Sequence, residues 1–231
     1  LDKEPPSISC PADLTVYTDI DECSASQVAL GSPITDDNCR VDTVFHSGPS
    51  VYPLGNTAVT WTVVDSSGNQ SSCTQSVTVL DTIAPEIICA FDITVETDPA
   101  QCYATGVALL NPIFSDNCTV ASVTNDAPDT ISLGTTTVLW TVTDQSGNLN
   151  HCSIDVSVVD QEAPSILCPP DLTVSADSAT CIRQAVELGA TVSDDNCTVQ
   201  EITRDSLEHY DPGSNTVVWT VYDAAGNTGT C

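Results

Sequence analysis

The stretch Val59-Thr60-Trp61-Thr62-Val63-Val64-Asp65-Ser66-Ser67-Gly68-Asn69 decides the fold. Val59, Trp61 and Val63 share one face and Thr60, Thr62 and Val64 the other, the period-two signature of a half-buried strand. Residues 65–69 then read as a bulged hairpin turn in which Gly68 takes a left-handed conformation. The same stretch returns at 138–148 and 217–227, keeping Val138, Trp140 and Val142, then Val217, Trp219 and Val221, on the inward face.

Outward from this strand the repetition covers the whole chain. Cys10, Cys23, Cys39 and Cys73 recur as Cys89, Cys102, Cys118 and Cys152 and as Cys168, Cys181, Cys197 and Cys231, each set 79 residues after the last. Leu14 with Val16, Val28 with Leu30, and Val77 with Val79 predict further strands, and Pro, Gly, Asn and Asp clusters separate them. About seven short antiparallel strands around a buried Trp and a disulfide describe an immunoglobulin-like β-sandwich. The expected fold class is all-β, as tandem domains at 1–80, 81–159 and 160–231 with two disulfides each.

The ends carry a second expectation. Leu1-Asp2 aligns with Leu80-Asp81 and Val159-Asp160, where each last strand closes, while Cys231 aligns with Cys73 and Cys152, where it begins. The counterparts of 74–79 are absent from the third repeat, so its last strand is missing or comes from the following or another chain segment. The reading is an excerpt from a longer repetitive protein; were it the whole polypeptide, it would be a polymerising subunit with an open sheet edge.

A unit of 79 residues is near the lower limit for a self-sufficient core, so covalent staples are expected. No cysteine sits in a Cys-x-x-Cys pair and His46, His151 and His209 are out of register with the repeat, which argues for disulfides over zinc. Disulfides place the chain outside the reducing cytosol, secreted or at the cell surface. Four basic residues (Lys3, Arg40, Arg183, Arg204) against 32 acidic ones give a net charge of −28, which repels nucleic acid and anionic lipid surfaces. No apolar run approaches the roughly 20 residues of a membrane helix, so this segment is not expected to insert in a membrane.

The ordered series Pro6-Ser-Ile-Ser-Cys10-Pro11-Ala-Asp13-Leu-Thr-Val16, Asp37-Asn38-Cys39, Leu54-Gly55, residues 59–69 and Cys73 resembles the hyalin repeat (HYR) family, in three copies over essentially all 231 residues. Departures are Ala90 for the proline after the first cysteine and Pro212-Gly213 for Leu54-Gly55. The resemblance implies an extracellular immunoglobulin-like module of adhesion, matrix and bacterial surface proteins, without catalysis of its own. Spacing alone leaves three pairings open for four cysteines. The resemblance implies Cys10–Cys73, leaving Cys23–Cys39, with Cys89–Cys152, Cys102–Cys118, Cys168–Cys231 and Cys181–Cys197 in the other copies. One tension accompanies it: Cys23 opens a strand and Cys39 follows its far end, so residues 33–38 would have to fold back. Loops of these sizes would contribute about 3 and 4 kcal/mol.

Aspartates dominate what is repeated. In a sandwich of this type the loop with Asp37-Asn38 and the hairpin with Asp65 lie where the chain enters, next to the linker with Asp2. Asp81, Asp116, Asn117 and Asp144, and Asp160, Asp195, Asn196 and Asp223, are the matching sets at the later joints. Two readings stand side by side: oxygen ligands for calcium that stiffen each joint, or aspartates capping their own turns. No cofactor is required by either. Sequons at Asn69, Asn117 and Asn196 are N-glycosylation candidates, and Asp-Thr-aliphatic triplets mark Thr82 and Thr130 as O-glycosylation candidates.

No repeated nucleophile, base or phosphate loop accompanies the aspartates, so no enzyme is expected. The expected role is a non-enzymatic extracellular rod, stalk or filament segment, its partners being neighbouring repeats of the same or identical chains. At about 3.3 Å per strand residue, three units would span roughly 100 Å. An alternative is an adhesin gripping glycan or protein through the variable segments 46–52, 125–131 and 204–210, with Tyr52 and Tyr210 as exposed aromatics. A third reading is an accessory module of a secreted enzyme.

Overall fold

The computed structural model describes residues 2–231; Leu1, where the first predicted domain begins, lies outside the described residues. The first repeat contains β1 (Ser7–Ser9), β2 (Leu14–Tyr17), β3 (Ser24–Ser26), β4 (Ile34–Asp36), β5 (Val41–His46), β6 (Val51–Pro53), β7 (Gly55–Asp65) and β8 (Gln70–Leu80). Its main sheet has the order β2-β8-β7-β5, and β1 with β4 and β3 with β6 form two-stranded sheets. Both long strands β7 and β8 bury every second residue, with Val59, Val63, Val77 and Val79 fully enclosed. Each such side chain adds about 1.5–3 kcal/mol of hydrophobic stabilisation. The class is therefore an all-β sandwich of immunoglobulin type, with Ala25, Leu30, Tyr52, Val59, Trp61, Val77 and Val79 packed as one core.

Two details differ from expectation. The sheet is not wholly antiparallel: β2 runs parallel to β8, with Leu14 opposite Val77. The Asp13 carboxylate starts that pairing by accepting the backbone N–H of Ser76 at 2.7 Å. Val28 and Leu30 are not in a strand, because the backbone turns through the left-handed region at Gln27 (φ 53°) and again at Gly31 (φ 81°). Leu30 is buried all the same.

The second repeat contains β9 (Glu86–Ile88), β10 (Ile93–Glu96), β11 (Tyr103–Thr105), β12 (Ile113–Ser115), β13 (Val120–Asn125), β14 (Thr130–Ser132), β15 (Gly134–Asp144) and β16 (Leu149–Val159), in the same strand order. The third contains β17 (Ser165–Leu167), β18 (Arg183–Gln184), β19 (Val192–Asp194), β20 (Val199–Arg204), β21 (His209–Tyr210), β22 (Trp219–Asp223) and β23 (Thr228–Thr230). There the segment matching β2 forms no strand. Leu172 and Val174 stay exposed beside a cavity of about 740 Å³ that Val217 and Trp219 also line.

By compactness the chain groups into two units that do not follow the repeats. One comprises Leu1–Cys89, Pro112–Asn125 and Trp140–Cys152, and the other Ala90–Asn111, Asp126–Leu139 and Ser153–Cys231. Each unit contains one complete joint between repeats, the first around Asp81 and the second around Asp160.

Candidate functional site: the joints between repeats

The turn chemistry of each repeat positions three carboxylates together. Asp65 ends β7 and caps its hairpin: its Oδ1 accepts the N–H of Ser67 at 2.8 Å and of Asn69 at 2.9 Å, while its Oδ2 accepts Asn69 Nδ2 at 2.7 Å. Asp37 caps the next loop through Oδ2, which accepts the N–H groups of Cys39 at 2.9 Å and Arg40 at 2.8 Å. The linker is then clipped on. Asn69 Nδ2 also reaches the carbonyl of Asp2 at 3.4 Å, and Asn148 and Asn227 do the same to Asp81 and Asp160 at 3.3 and 3.2 Å.

The outcome is three groups, Asp2 with Asp37 and Asp65, Asp81 with Asp116 and Asp144, and Asp160 with Asp195 and Asp223, each offering oxygens within 4.8 Å of one another. The capping bonds use one oxygen of the loop aspartate and leave the other. Among the described residues, Oδ1 of Asp37, Asp116 and Asp195 and Oδ2 of Asp2 and Asp160 are buried without a geometric hydrogen-bond partner. Asp160 is itself only 6% exposed. Unpaired buried carboxylate oxygens are costly, and a hard cation would satisfy them, since calcium takes six to eight oxygens at about 2.3–2.6 Å and so could span ligands roughly 4.8 Å apart.

Electrostatics differ among the groups. Burial, together with the nearby Asp144 and Asp81 carboxylates and against a bond from Cys118, pushes the Asp116 carboxyl above the ordinary aspartate value. Burial acts the same way on Asp65 but is outweighed by its bonds from Asn69, Ser67 and Gly68, so its value is lowered. At Asp2 the bond from the Glu4 N–H lowers the value. The Cys39 thiol is raised, first by its hydrogen bond to Asp2 and then by that carboxylate's charge.

Each joint is also closed from the preceding repeat. Asn117 Nδ2 donates to Thr18 Oγ1 at 3.2 Å, to the Glu22 carbonyl at 3.4 Å and to Asp81 Oδ1 at 3.5 Å. Thr18 Oγ1 in turn donates to Asp81 Oδ1 at 3.4 Å. At the second joint Asn196 donates to Thr97 Oγ1 at 3.3 Å, the Gln101 carbonyl at 2.9 Å and Asp160 Oδ1 at 3.2 Å. Beside these bonds run the disulfides Cys23–Cys118 and Cys102–Cys197.

This corrects the pairing implied by resemblance. Cys10–Cys73, Cys89–Cys152 and Cys168–Cys231 are formed within repeats. Cys23–Cys39, Cys102–Cys118 and Cys181–Cys197 are not; Cys39 and Cys181 are free and exposed. Cys23 lies at the trailing end of its repeat, near Thr18, whose N–H donates to the Leu80 carbonyl at 3.0 Å. Cys39 lies at the leading end, beside Asp2. The fold-back of 33–38 is thus unnecessary, because the partner arrives from the next repeat.

The remaining predicted residues fall as follows. Nδ2 of Asn69, Asn117 and Asn196 is donated to the linker or across the joint, so a glycan at these sequons would displace those bonds. Thr82 and Thr130 are exposed. His46, His151 and His209 are exposed, the His46 ring packing against Trp61 at 4.9 Å between ring centroids with the planes tilted by 53°. Tyr52 is not the exposed aromatic expected: it is 2% exposed, enclosed with Ala25 and Leu30, because β6 turns its middle residue inward. Thr18, Thr97 and the last Asn of each hairpin were missed as joint residues. Recurrence was the signal for the asparagines, Asn69, Asn148 and Asn227 being identical in all copies, but not for the threonines, whose third counterpart is Ala176.

Sandwich repeats linked covalently to their neighbours define the class, and sequence comparison supplies the family. The HYR domain model matches residues 1–79 and 80–158, and the chain belongs to the HYR domain family. It is 33% identical over 190 residues to the rat protein called Sushi, von Willebrand factor type A, EGF and pentraxin domain-containing protein 1, covering 77% of this chain and 5% of that one. It is 27% identical over 251 residues to hyalin of Lytechinus variegatus, covering 100% of this chain and 46% of hyalin. The chain thus spans less than half the length of these relatives. Among solved structures, Drosophila N-cadherin EC1-4 superposes with a TM-score of 0.37 at 11% identity, over 100% of this chain and 75% of that one.

Proposed function

We propose that this chain is a non-enzymatic, extracellular structural segment, a rod, stalk or filament part of a longer tandem-repeat protein, in which the joints carry the mechanical load. The single observation that supports this most is the covalent closure of both joints, Cys23–Cys118 and Cys102–Cys197. A hinge meant to swing would not be cross-linked beside its linker, and the five disulfides fit an oxidising compartment. Calcium is the proposed second fastener, bound by Asp81, Asp116 and Asp144 and by Asp160, Asp195 and Asp223, with Asp2, Asp37 and Asp65 as the third set. The support is the buried, partnerless oxygen of Asp160 within its triad.

The test is small-angle scattering on the oxidised chain with calcium, and on a C23S/C118S/C102S/C197S variant with chelator. The expected result is an extended particle of constant length that becomes shorter on average and more variable in the variant. Identical scattering curves would remove the load-bearing role of the joints.

A further inference from the structure

Cys39 and Cys181 are the two cysteines without partners among the described residues, and each occupies a position that is bonded elsewhere in this chain. Cys39 aligns with Cys118 and Cys197, which accept a sulfur from the preceding repeat, and Cys181 aligns with Cys23 and Cys102, which reach forward to the following one. The surroundings of Cys39 match a joint with one side uncovered. Asn38 and Cys39 are exposed where Asn117, Cys118, Asn196 and Cys197 are half-buried. Asp2 is half-buried where Asp81 and Asp160 are buried. Among the described residues Asn38 Nδ2 has a single acceptor, Asp2 Oδ1 at 3.5 Å, whereas Asn117 and Asn196 each also find a threonine hydroxyl and a backbone carbonyl of the preceding repeat.

The acidic group of the first repeat is assembled like those of the closed joints: among the described residues Asp37 Oδ1 is buried and unpaired, as are its counterparts Asp116 Oδ1 and Asp195 Oδ1. At the first closed joint the cover is Thr18, the Glu22 carbonyl and Cys23. The third repeat carries Cys181, exposed, at the sequence position of Cys23, with Ala176 at that of Thr18, so its cover offers the sulfur without the threonine hydroxyl.

We infer that Cys39 and Cys181 are the two halves of one joint, and that Cys39 forms a disulfide with the Cys181-type cysteine of another hyalin repeat, head to tail. Between two copies of residues 1–231 that cysteine is Cys181 of the second copy. The reaction is two protein thiols and one glutathione disulfide giving one protein disulfide and two glutathione thiols, so the oxidant takes both electrons and both hydrogens. The link is head to tail because the two surfaces differ, which generates an open chain of copies in place of a closed pair.

The experiment is oxidation of the purified chain with glutathione disulfide, followed by non-reducing electrophoresis and peptide mapping. The expected result is a ladder of dimers, trimers and longer species, with Cys39 peptides linked to Cys181 peptides. C39S alone and C181S alone stay monomeric, and their mixture stops at the dimer. A wild-type monomer, with free thiols or with Cys39 bonded to Cys181 of its own chain, overturns the inference. So do Cys39–Cys39 or Cys181–Cys181 dimers forming as readily as the mixed one. Neither substitution removes an existing disulfide, and equal melting temperatures confirm that both variants fold.

Material from the natural source, alkylated before digestion, separates the two origins of the partner. Cys39 joined to the Cys181 peptide identifies a second copy, and Cys39 joined to a cysteine peptide of another hyalin repeat identifies a neighbour in a longer chain. Free thiols at both positions overturn the inference. The mapping reads sulfur connectivity alone, so it can fail while the stiffness and calcium readings survive, and the reverse.

Discussion

Cys23 is bonded to Cys118, 95 residues away, across a joint where Asn117 also donates to Thr18. Two repeats are thereby fastened at a linker, 81–85, that would otherwise be a short extended segment. The chain-entropy value of closing a loop of this size is about 4–5 kcal/mol. C23S/C118S is therefore expected to lower the unfolding free energy by roughly 2–4 kcal/mol, since removed native bridges commonly cost less than the entropic limit. Denaturant titration against wild type measures it, and an unchanged midpoint would contradict it.

Removing the asparagine bridge alone isolates the polar part of the joint. Asn117→Ala deletes the bonds to Thr18, Glu22 and Asp81 and is expected to cost about 1–2 kcal/mol. Asn117→Asp instead adds a fourth carboxylate near Asp81, Asp116 and Asp144. It should melt below Asn117→Ala in chelator and regain stability in millimolar calcium, because like charges at short range repel until a cation intervenes.

Calcium itself is expected to raise the melting temperature, and chelator to lower it. Asp160→Asn neutralises the carboxylate whose Oδ2 is buried without a partner, and should reduce the number of ions bound by one in isothermal titration. Acid should weaken the site at Asp81, Asp116 and Asp144 first, because burial and neighbouring carboxylates already raise Asp116, so that protons compete there at higher pH. An ion count that ignores Asp160→Asn would remove that residue from the ligand set.

The Asp65 hairpin sets an acid limit of the opposite sign. Its folded value is lowered, so its contribution is fully present above the unfolded aspartate value of about pH 4 and is lost as pH falls through the folded value. Asp65→Asn keeps part of the capping without the charge. Its stability relative to wild type should therefore be worst at neutral pH and converge toward wild type below about pH 3, as read by melts across that range.

In the core, Gln75 is fully buried and ties three groups together. Its Oε1 accepts Trp61 Nε1 at 3.0 Å, and its Nε2 donates to the carbonyls of Ala12 at 2.7 Å and Leu30 at 3.1 Å. Gln75→Ala leaves all three unpaired and is expected to cost about 2–4 kcal/mol. The second repeat carries Ile154 in that position, and there Trp140 Nε1 is buried without a partner. Gln75→Ile should thus be milder than Gln75→Ala, since it refills the space and loses only the bonds.

Much of this was legible along the chain. The alternation of Val59, Trp61 and Val63 specified strand β7, and Asp65 with Gly68 specified its turn, because both are local effects of side-chain period and backbone conformation. The three acidic groups also followed from sequence, since strand direction alone says which turns share an end. Turn capping leaves an oxygen over, as one oxygen of Asp37 caps while the other stays unpaired among the described residues. Val28 and Leu30 misled because alternation persists through a segment whose backbone is turned at Gln27. Tyr52 misled because a three-residue strand is too short for alternation to announce which side faces the core.

The sulfur partners could not be read at all from the repeat. Shifting the pattern by 79 residues maps every cysteine onto an equivalent one, so the sequence is indifferent to whether Cys23 takes Cys39 or its counterpart Cys118. Sequence alone determined the module, its strands, its turns and its acidic ends, all of which are properties of one period. Tertiary structure decided which copy answers which, because Cys23 and Cys39 stand at opposite ends of the same sandwich and only the neighbouring repeat brings a thiol within reach.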